Sequence, residues 1–234
     1  MNVMQEKNNR VFISGEIVAD AEFSHEVYGE GFYEMQVLVK RLSGQGDILP
    51  VTISERLISD GALKVGSSIN AVGQFRSYNK LVDGKSKLML TVFVRELLDD
   101  LPIKNPNSIV LTGYICKEPV YRTTPFNREI ADVLIAVNRS YNKSDYIPCI
   151  AWGRNARFAK NLAVGEKIAI CGRIQSREYQ KKISDDLVKT LTAYEVSISK
   201  LAAYENAENF DPDEEFELTS CLSNEDNGER IYSD

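Results

Sequence analysis

Two small all-β barrels in tandem, followed by an acidic tail, are the fold predicted by this 234-residue sequence, and three observations predict it. Apolar residues fall in short alternating runs broken by turn residues, which is the pattern of half-buried strands. The beginning of the chain reappears in its second half at a near-constant offset. Charge is divided by position: residues 1–102 carry 11 Lys and Arg against 14 Asp and Glu, residues 103–202 carry 16 against 9, and residues 203–234 carry 1 against 11. A net charge of −6 therefore conceals a basic segment between a mildly acidic one and a strongly acidic one.

The repeat sets the domain plan. Val11-Phe-Ile-Ser-Gly15-Glu-Ile17 matches Ile109-Val-Leu-Thr-Gly113-Tyr-Ile115, an offset of 98. The same offset lays Val37-Leu-Val-Lys-Arg41 on Ile135-Ala-Val-Asn-Arg139, and Asp47-Ile-Leu-Pro50 on Asp145-Tyr-Ile-Pro148. After one inserted residue, Val65-Gly66 and Gly73 fall on Val164-Gly165 and Gly172. The chain thus divides into a first unit, residues 1–100, a second unit, residues 107–202, and a tail, residues 203–234. The segment Leu98 to Asn107, with two prolines, is the linker. Beyond Leu201 the apolar periodicity stops and ENAENFDPDEEFELTS begins, the composition of a disordered acidic segment.

In the second unit the strands are expected at Ser108 to Ile115, Ile130 to Asn138, Tyr146 to Trp152, Lys167 to Glu178 and Val188 to Lys200. A short helix follows the third strand, with Phe158 and Leu162 four apart on one face before the Val164-Gly165 turn. The same helix is expected between strands 3 and 4 of the first unit. Five strands in this order form an OB-fold, a partly open barrel whose face and loops suit oligonucleotides.

Composition narrows the function classes. No apolar run approaches the roughly 18 residues of a membrane span, and MNVMQEKNNR lacks the apolar stretch of a secretory signal, so a soluble cytoplasmic protein is expected. The cysteines Cys116, Cys149, Cys171 and Cys221 form no CxxC pair, and His25 is the one histidine, which argues against zinc, other metals and a disulfide framework. Cys149 and Cys171 lie in apolar runs as small hydrophobes. The sequence has no GxSxG, Walker loop, HExxH or paired-carboxylate signature, and DPDEEFEL lacks the glycine and final glutamate of a calcium loop. A non-catalytic protein without cofactor is expected.

Strand parity then assembles a site. Residues of equal parity share a face, so Tyr146 and Trp152 point the same way, with Pro148 and Ile150 between them. In the fourth strand Ile168, Ile170, Gly172 and Ile174 face inward, leaving Arg173, Gln175, Arg177 and Tyr179 outside, with Lys181 and Lys182 at the hairpin tip. Arg139, Tyr141 and Lys143 cluster after the second strand, and Arg154 and Arg157 follow Trp152. Aromatic rings alternating with cations match a single nucleic-acid strand, which offers exposed base faces and a charged backbone.

The run from Ser108 to Lys182 resembles the bacterial single-stranded DNA-binding protein family, through SIVLTGYICKEPVYRTTP, ADVLIAVNRSYN, DYIPCIAWGRNARFAKNL and GEKIAICGRIQSREY. The resemblance implies stacking of bases on Tyr141, Tyr146, Trp152 and Tyr179, with Arg122, Arg154 and Arg177 as basic positions. It also implies assemblies presenting four OB-folds, hence a homodimer of this two-barrel chain, acting in replication, repair or recombination. The first unit offers Ser43, Ile48, Ser54 and Lys80 at the four aromatic positions, so it is expected to be mainly structural or dimerising. Tyr78, Lys80, Lys85 and Lys87 in its last hairpin allow an auxiliary contact. The family's tail ends in an acidic, aromatic tip that docks replication and repair proteins; here GERIYSD stands instead. The acidic run Asp211 to Glu217, with Phe216, is left as a candidate bait or as a competitor for the basic groove. A protein-interaction adaptor and a single-stranded RNA binder are the alternative readings.

Overall fold

The computed structural model describes residues 8–41, 43–58, 63–82, 84–99, 105–182 and 188–204, the side chain of Lys181 excepted. The first unit contains β1 (Asn9–Val27), β2 (Glu30–Lys40), β3 (Gly46–Ser54), β4 (Ser68–Val82) and β5 (Lys85–Leu97). The second contains β6 (Asn107–Ile115), β7 (Val120–Thr123), β8 (Glu129–Arg139), β9 (Lys143–Trp152), the helix α1 (Arg154–Ala159), β10 (Lys167–Lys182) and β11 (Val188–Ala203). Each unit closes on itself. In the first, β1 pairs with both β2 and β4, and β3 pairs in parallel with β5. In the second, β6 pairs with both β8 and β10, and β9 pairs in parallel with β11. Both units are OB-fold barrels.

Closure requires the first strand of each barrel to serve two neighbours, and glycine makes the bend possible. A side chain at Gly15 would press into the Leu38 carbonyl, and one at Gly113 into the Ala136 carbonyl, so only a residue without Cβ passes at either place. Inward residues form the cores, including Ile17, Val37, Val51 and Phe75 in the first barrel and Ile115, Ile135, Ile147 and Ile170 in the second, all fully buried. Cys149 and Cys171 are buried as expected of small hydrophobes, and burial pushes both thiols up, Cys171 to about 12. Cys221 lies outside the described residues.

Two local expectations need correction. The course of β1 is a single strand in the first barrel but is split in the second, where Pro119, lacking an amide donor, separates β6 from an unexpected β7. Between β3 and β4 the described residues include a 3-10 turn, Glu55–Leu57, capped by Ser54, and the rest of the expected helix lies outside the described residues. In α1 the buried residues are Ala156 and Ala159, followed by Leu162, whereas Phe158 is exposed. Small alanines let the short helix lie close on the barrel, and Phe158 falls on the opposite side.

The barrels are joined edge to edge. β1 pairs antiparallel with β6, Asn9 opposite Leu111, Val11 opposite Ile109 and Ile13 opposite Asn107, which makes one continuous 11-stranded sheet. Under the repeat offset these pairs map onto one another, so the junction is a pseudo-two-fold interface of the self-complementary kind that joins identical subunits. Its side chains repeat in the same way. Asn9 clamps the Phe75 backbone, donating to its carbonyl at 2.8 Å and accepting from its N–H at 2.8 Å, while Asn107 does so for Ile174 at 2.7 and 2.9 Å. Across the junction Asp47 accepts from the Ser176 N–H at 2.8 Å, and Asp145 accepts from the Ser77 N–H at 2.7 Å. Phe12, Val110 and Cys171 cover the junction on the opposite face of the sheet.

Candidate nucleic-acid interface

The aromatic side chains of the second barrel reach the surface where strand parity places them. Trp152, at the end of β9, is 38% exposed, Tyr146 on the same strand 48%, and Tyr179 on β10 37%. Tyr141 is 94% exposed because it stands in the β8–β9 turn with φ 62°, followed by Asn142 at φ 53°. Two successive left-handed residues give the tight twist that joins the paired ends Arg139 and Lys143.

Among the described residues, Trp152 and Tyr179 line different grooves. Trp152 borders a groove of about 760 Å³ lined by Arg173, Gln175 and Arg177 from β10 and by Gln36, Arg41 and Ile48 from the first barrel. On its other side Trp152 borders a second groove, about 550 Å³, with Lys40, Arg41 and Arg173. Tyr179 instead lines a cleft of about 690 Å³ between the barrels, with Pro148, Tyr78 and Tyr194. Tyr194 touches this cleft and the first of the Trp152 grooves, linking the two. Sequence reasoning passed over Tyr194, whose only signal is its place opposite Ser176 in the last hairpin, and Lys40 and Arg41, which reach the site only because the barrels adjoin.

Several of the predicted cations are already engaged. Arg173 donates to Gln175 at 3.2 Å, Gln175 donates to the buried Glu195 at 2.9 Å, and Arg177 stands 3.6 Å from the same carboxylate. Glu195 lies opposite Gln175 on β11, so the cationic strip is a network with an acid at its centre. Networks of this kind hold the guanidinium planes in place and dilute their charge. Arg122 pairs with Asp132 at 3.0 Å on an exposed edge, and Arg139 lies 3.5 Å from Asp145 at the junction. Lys143, Arg154 and Lys182 are exposed, and the side chain of Lys181 lies outside the described residues.

The junction aspartates are buried alike, but their carboxyl pKa values shift in opposite directions. Arg41 grips Asp47 with two hydrogen bonds, 2.6 and 2.7 Å, and with the Ser176 contacts these outweigh the cost of burial and hold its carboxyl below the usual carboxylate range. At Asp145 burial dominates and raises the carboxyl, because Arg139 approaches one oxygen at only 3.5 Å and that oxygen has no hydrogen-bond partner.

The sequence profile described as the Single-strand binding protein family matches residues 106–203. Over those residues the second barrel is similar to the single-strand binding protein family. Over 83 residues the chain is 36% identical to Single-stranded DNA-binding protein 1 of Staphylococcus aureus and 34% identical to Single-stranded DNA-binding protein A of Bacillus subtilis. Each match covers 32% of this chain, and the chain spans about half the length of those relatives. The wild-type single-stranded DNA binding protein from Thermus aquaticus has the same fold across both barrels, with a TM-score of 0.62 at 20% identity, over 83% of this chain and 92% of that one.

Proposed function

We propose that the chain binds single-stranded DNA with little regard to sequence, by stacking bases on exposed rings and holding phosphates with basic side chains, and that it performs no chemistry on the strand. The observation that carries this reading is Trp152, half exposed between two grooves that contain Arg173 and Arg41. A ring open to an apolar partner and flanked by cations suits a base and its phosphate. The relatives named for single-stranded DNA binding support the same reading. Two chains pairing through their outer barrels would present four OB-folds, and sedimentation of the full chain tests this by returning a dimer or a monomer. Docking of replication or repair proteins by the tail falls on residues outside those described. Among the described residues no helix is long and apolar enough to cross a membrane, and a cytoplasmic location is proposed with the binding role.

The test is titration of a fluorescent oligo-dT with the chain and with Trp152→Ala/Tyr179→Ala at two salt concentrations. Stacking contributes about 1–3 kcal/mol per base, so the double variant is expected to bind at least tenfold more weakly. Binding by the parent chain that is absent, or that the double variant matches, overturns the reading.

A further inference from the structure

The first barrel lacks every ring expected of a stacking surface at its aligned positions, yet the structure supplies one from another strand. Ser54 aligns with Trp152 and leaves that place without a ring. Next to it, β5 carries Phe93, which pairs with Thr52 across the parallel strands. In the second barrel the corresponding pair is Ser197 with Ile150. The two barrels therefore exchange ring and serine between adjacent strands: Trp152 beside Ser197 in the second, Phe93 beside Ser54 in the first. The Phe93 ring leans toward Phe32, the cross-strand partner of Ser54, at a centroid distance of 5.6 Å, and Phe32 in turn stacks on His25 at 5.1 Å.

Charge has moved with the ring. The guanidinium of Arg76 lies over Phe93, 3.7 Å from its centroid, and Arg95 lies over the same ring at 5.4 Å. Gln74 accepts from Arg76 at 2.9 Å and fixes the plane. In the second barrel the equivalent pair is reversed, with Arg173 donating to Gln175. No carboxylate corresponding to Glu195 intervenes, because its place on β5 is Thr91, which is bonded instead to Thr52 at 2.8 Å. Burial and the neighbouring charges of Arg95 and Arg139 bring Arg76 down to about 10, against the opposing pull of Asp145. Two guanidiniums crowded on one ring, with Asp145 as the carboxylate that partly offsets Arg76, form a surface suited to an anion.

We propose that Phe93, Arg76 and Arg95 form a second binding surface for the same DNA strand, with a base on the held Arg76 plane and phosphates at the guanidiniums, so that the first barrel binds as well as supports. This rests on the binding role proposed for the second barrel. Arginine planes stack on bases as aromatic rings do, and the ring beneath keeps the plane rigid. Neutralising phosphates of a single strand gives a salt slope of about 0.7 per contact.

The experiment uses the full chain. An oligo-dT carrying a photoreactive thymine analogue is cross-linked and digested with trypsin, and labelled peptides are mapped. Label is expected on Leu88–Arg95, which carries Phe93, as well as on Ser144–Arg154, which carries Trp152. In parallel, Arg76→Gln/Arg95→Gln is expected to lower the log–log salt slope by about 1.4, with a thermal melt confirming that the variant folds. Arg76→Lys is expected to keep the slope and lose affinity, because it retains charge without the plane. Label confined to Ser144–Arg154, or an unchanged slope in the folded double variant, overturns the inference and leaves the second-barrel reading standing. A parent chain that binds no oligo-dT overturns both.

Discussion

In the second barrel the central ring of the outer face is Trp152, from β9, and the arginines around it are tied to Glu195; in the first the ring is Phe93, from β5, and Thr91 stands at the place of that glutamate. At the junction the reverse holds: Asn9 and Asn107, Asp47 and Asp145, Ser77 and Ser176 repeat almost atom for atom. Residues that satisfy buried backbone groups have few alternatives, since an unpaired donor is costly wherever it is buried. An exposed ring can arrive from either of two adjacent strands and cover the same surface. The duplication thus preserved the junction and exchanged the parts of the face.

The largest expected effect tests the junction. Asp47→Ala strands Arg41 and the Ser176 N–H, and removing one member of a buried pair costs about 3 kcal/mol, read as a shift in the urea midpoint. Asp145→Ala is expected to cost less, because that carboxylate is bound loosely by Arg139; equal losses would erase the difference between the halves. Next, on the binding face, Trp152→Ala alone is expected to weaken oligo-dT binding by about tenfold, one stacked base, and Phe93→Ser to weaken it by less, since the Arg76 plane remains.

The pH dependence separates the aspartates more finely. Asp47 has a lowered folded pKa, so its stabilisation is full above the unfolded value and is lost as pH falls through the folded one. Asp145 has a raised folded pKa, so ionising it opposes folding, and stability falls as pH rises through that value. Asp47→Asn is therefore expected to flatten the acid limb of a stability–pH curve, while Asp145→Asn steepens it slightly. The smallest effect is a transplant: Ser54→Trp with Phe93→Ser restores the second barrel's arrangement in the first, and is expected to leave oligo-dT affinity within about twofold of the parent, since one ring replaces another. A loss as large as that of Trp152→Ala would show that the two positions are not equivalent.

Much of the architecture was legible along the chain. The offset of 98 predicted two barrels, and alternation located the principal strands of the second barrel to within a few residues. The break at Pro119 carried a signal that went unread. The exposure of Trp152, Tyr146 and Tyr179 was legible because exposure in a strand follows parity. The division of Trp152 and Tyr179 between separate grooves was not, because grooves form between strands that are distant in sequence.

Strand period, repeat offset and charge partition are properties of neighbouring residues, so they are present in the order of amino acids before any contact forms. The pairing of Arg177 with Glu195, the seating of Arg76 on Phe93, and the edge-to-edge union of β1 with β6 are contacts between residues on different strands, not between neighbours in sequence. Those were decided by closure of the barrels, which sets which outer faces adjoin, and with it which charges are spent on one another and which stay at the surface.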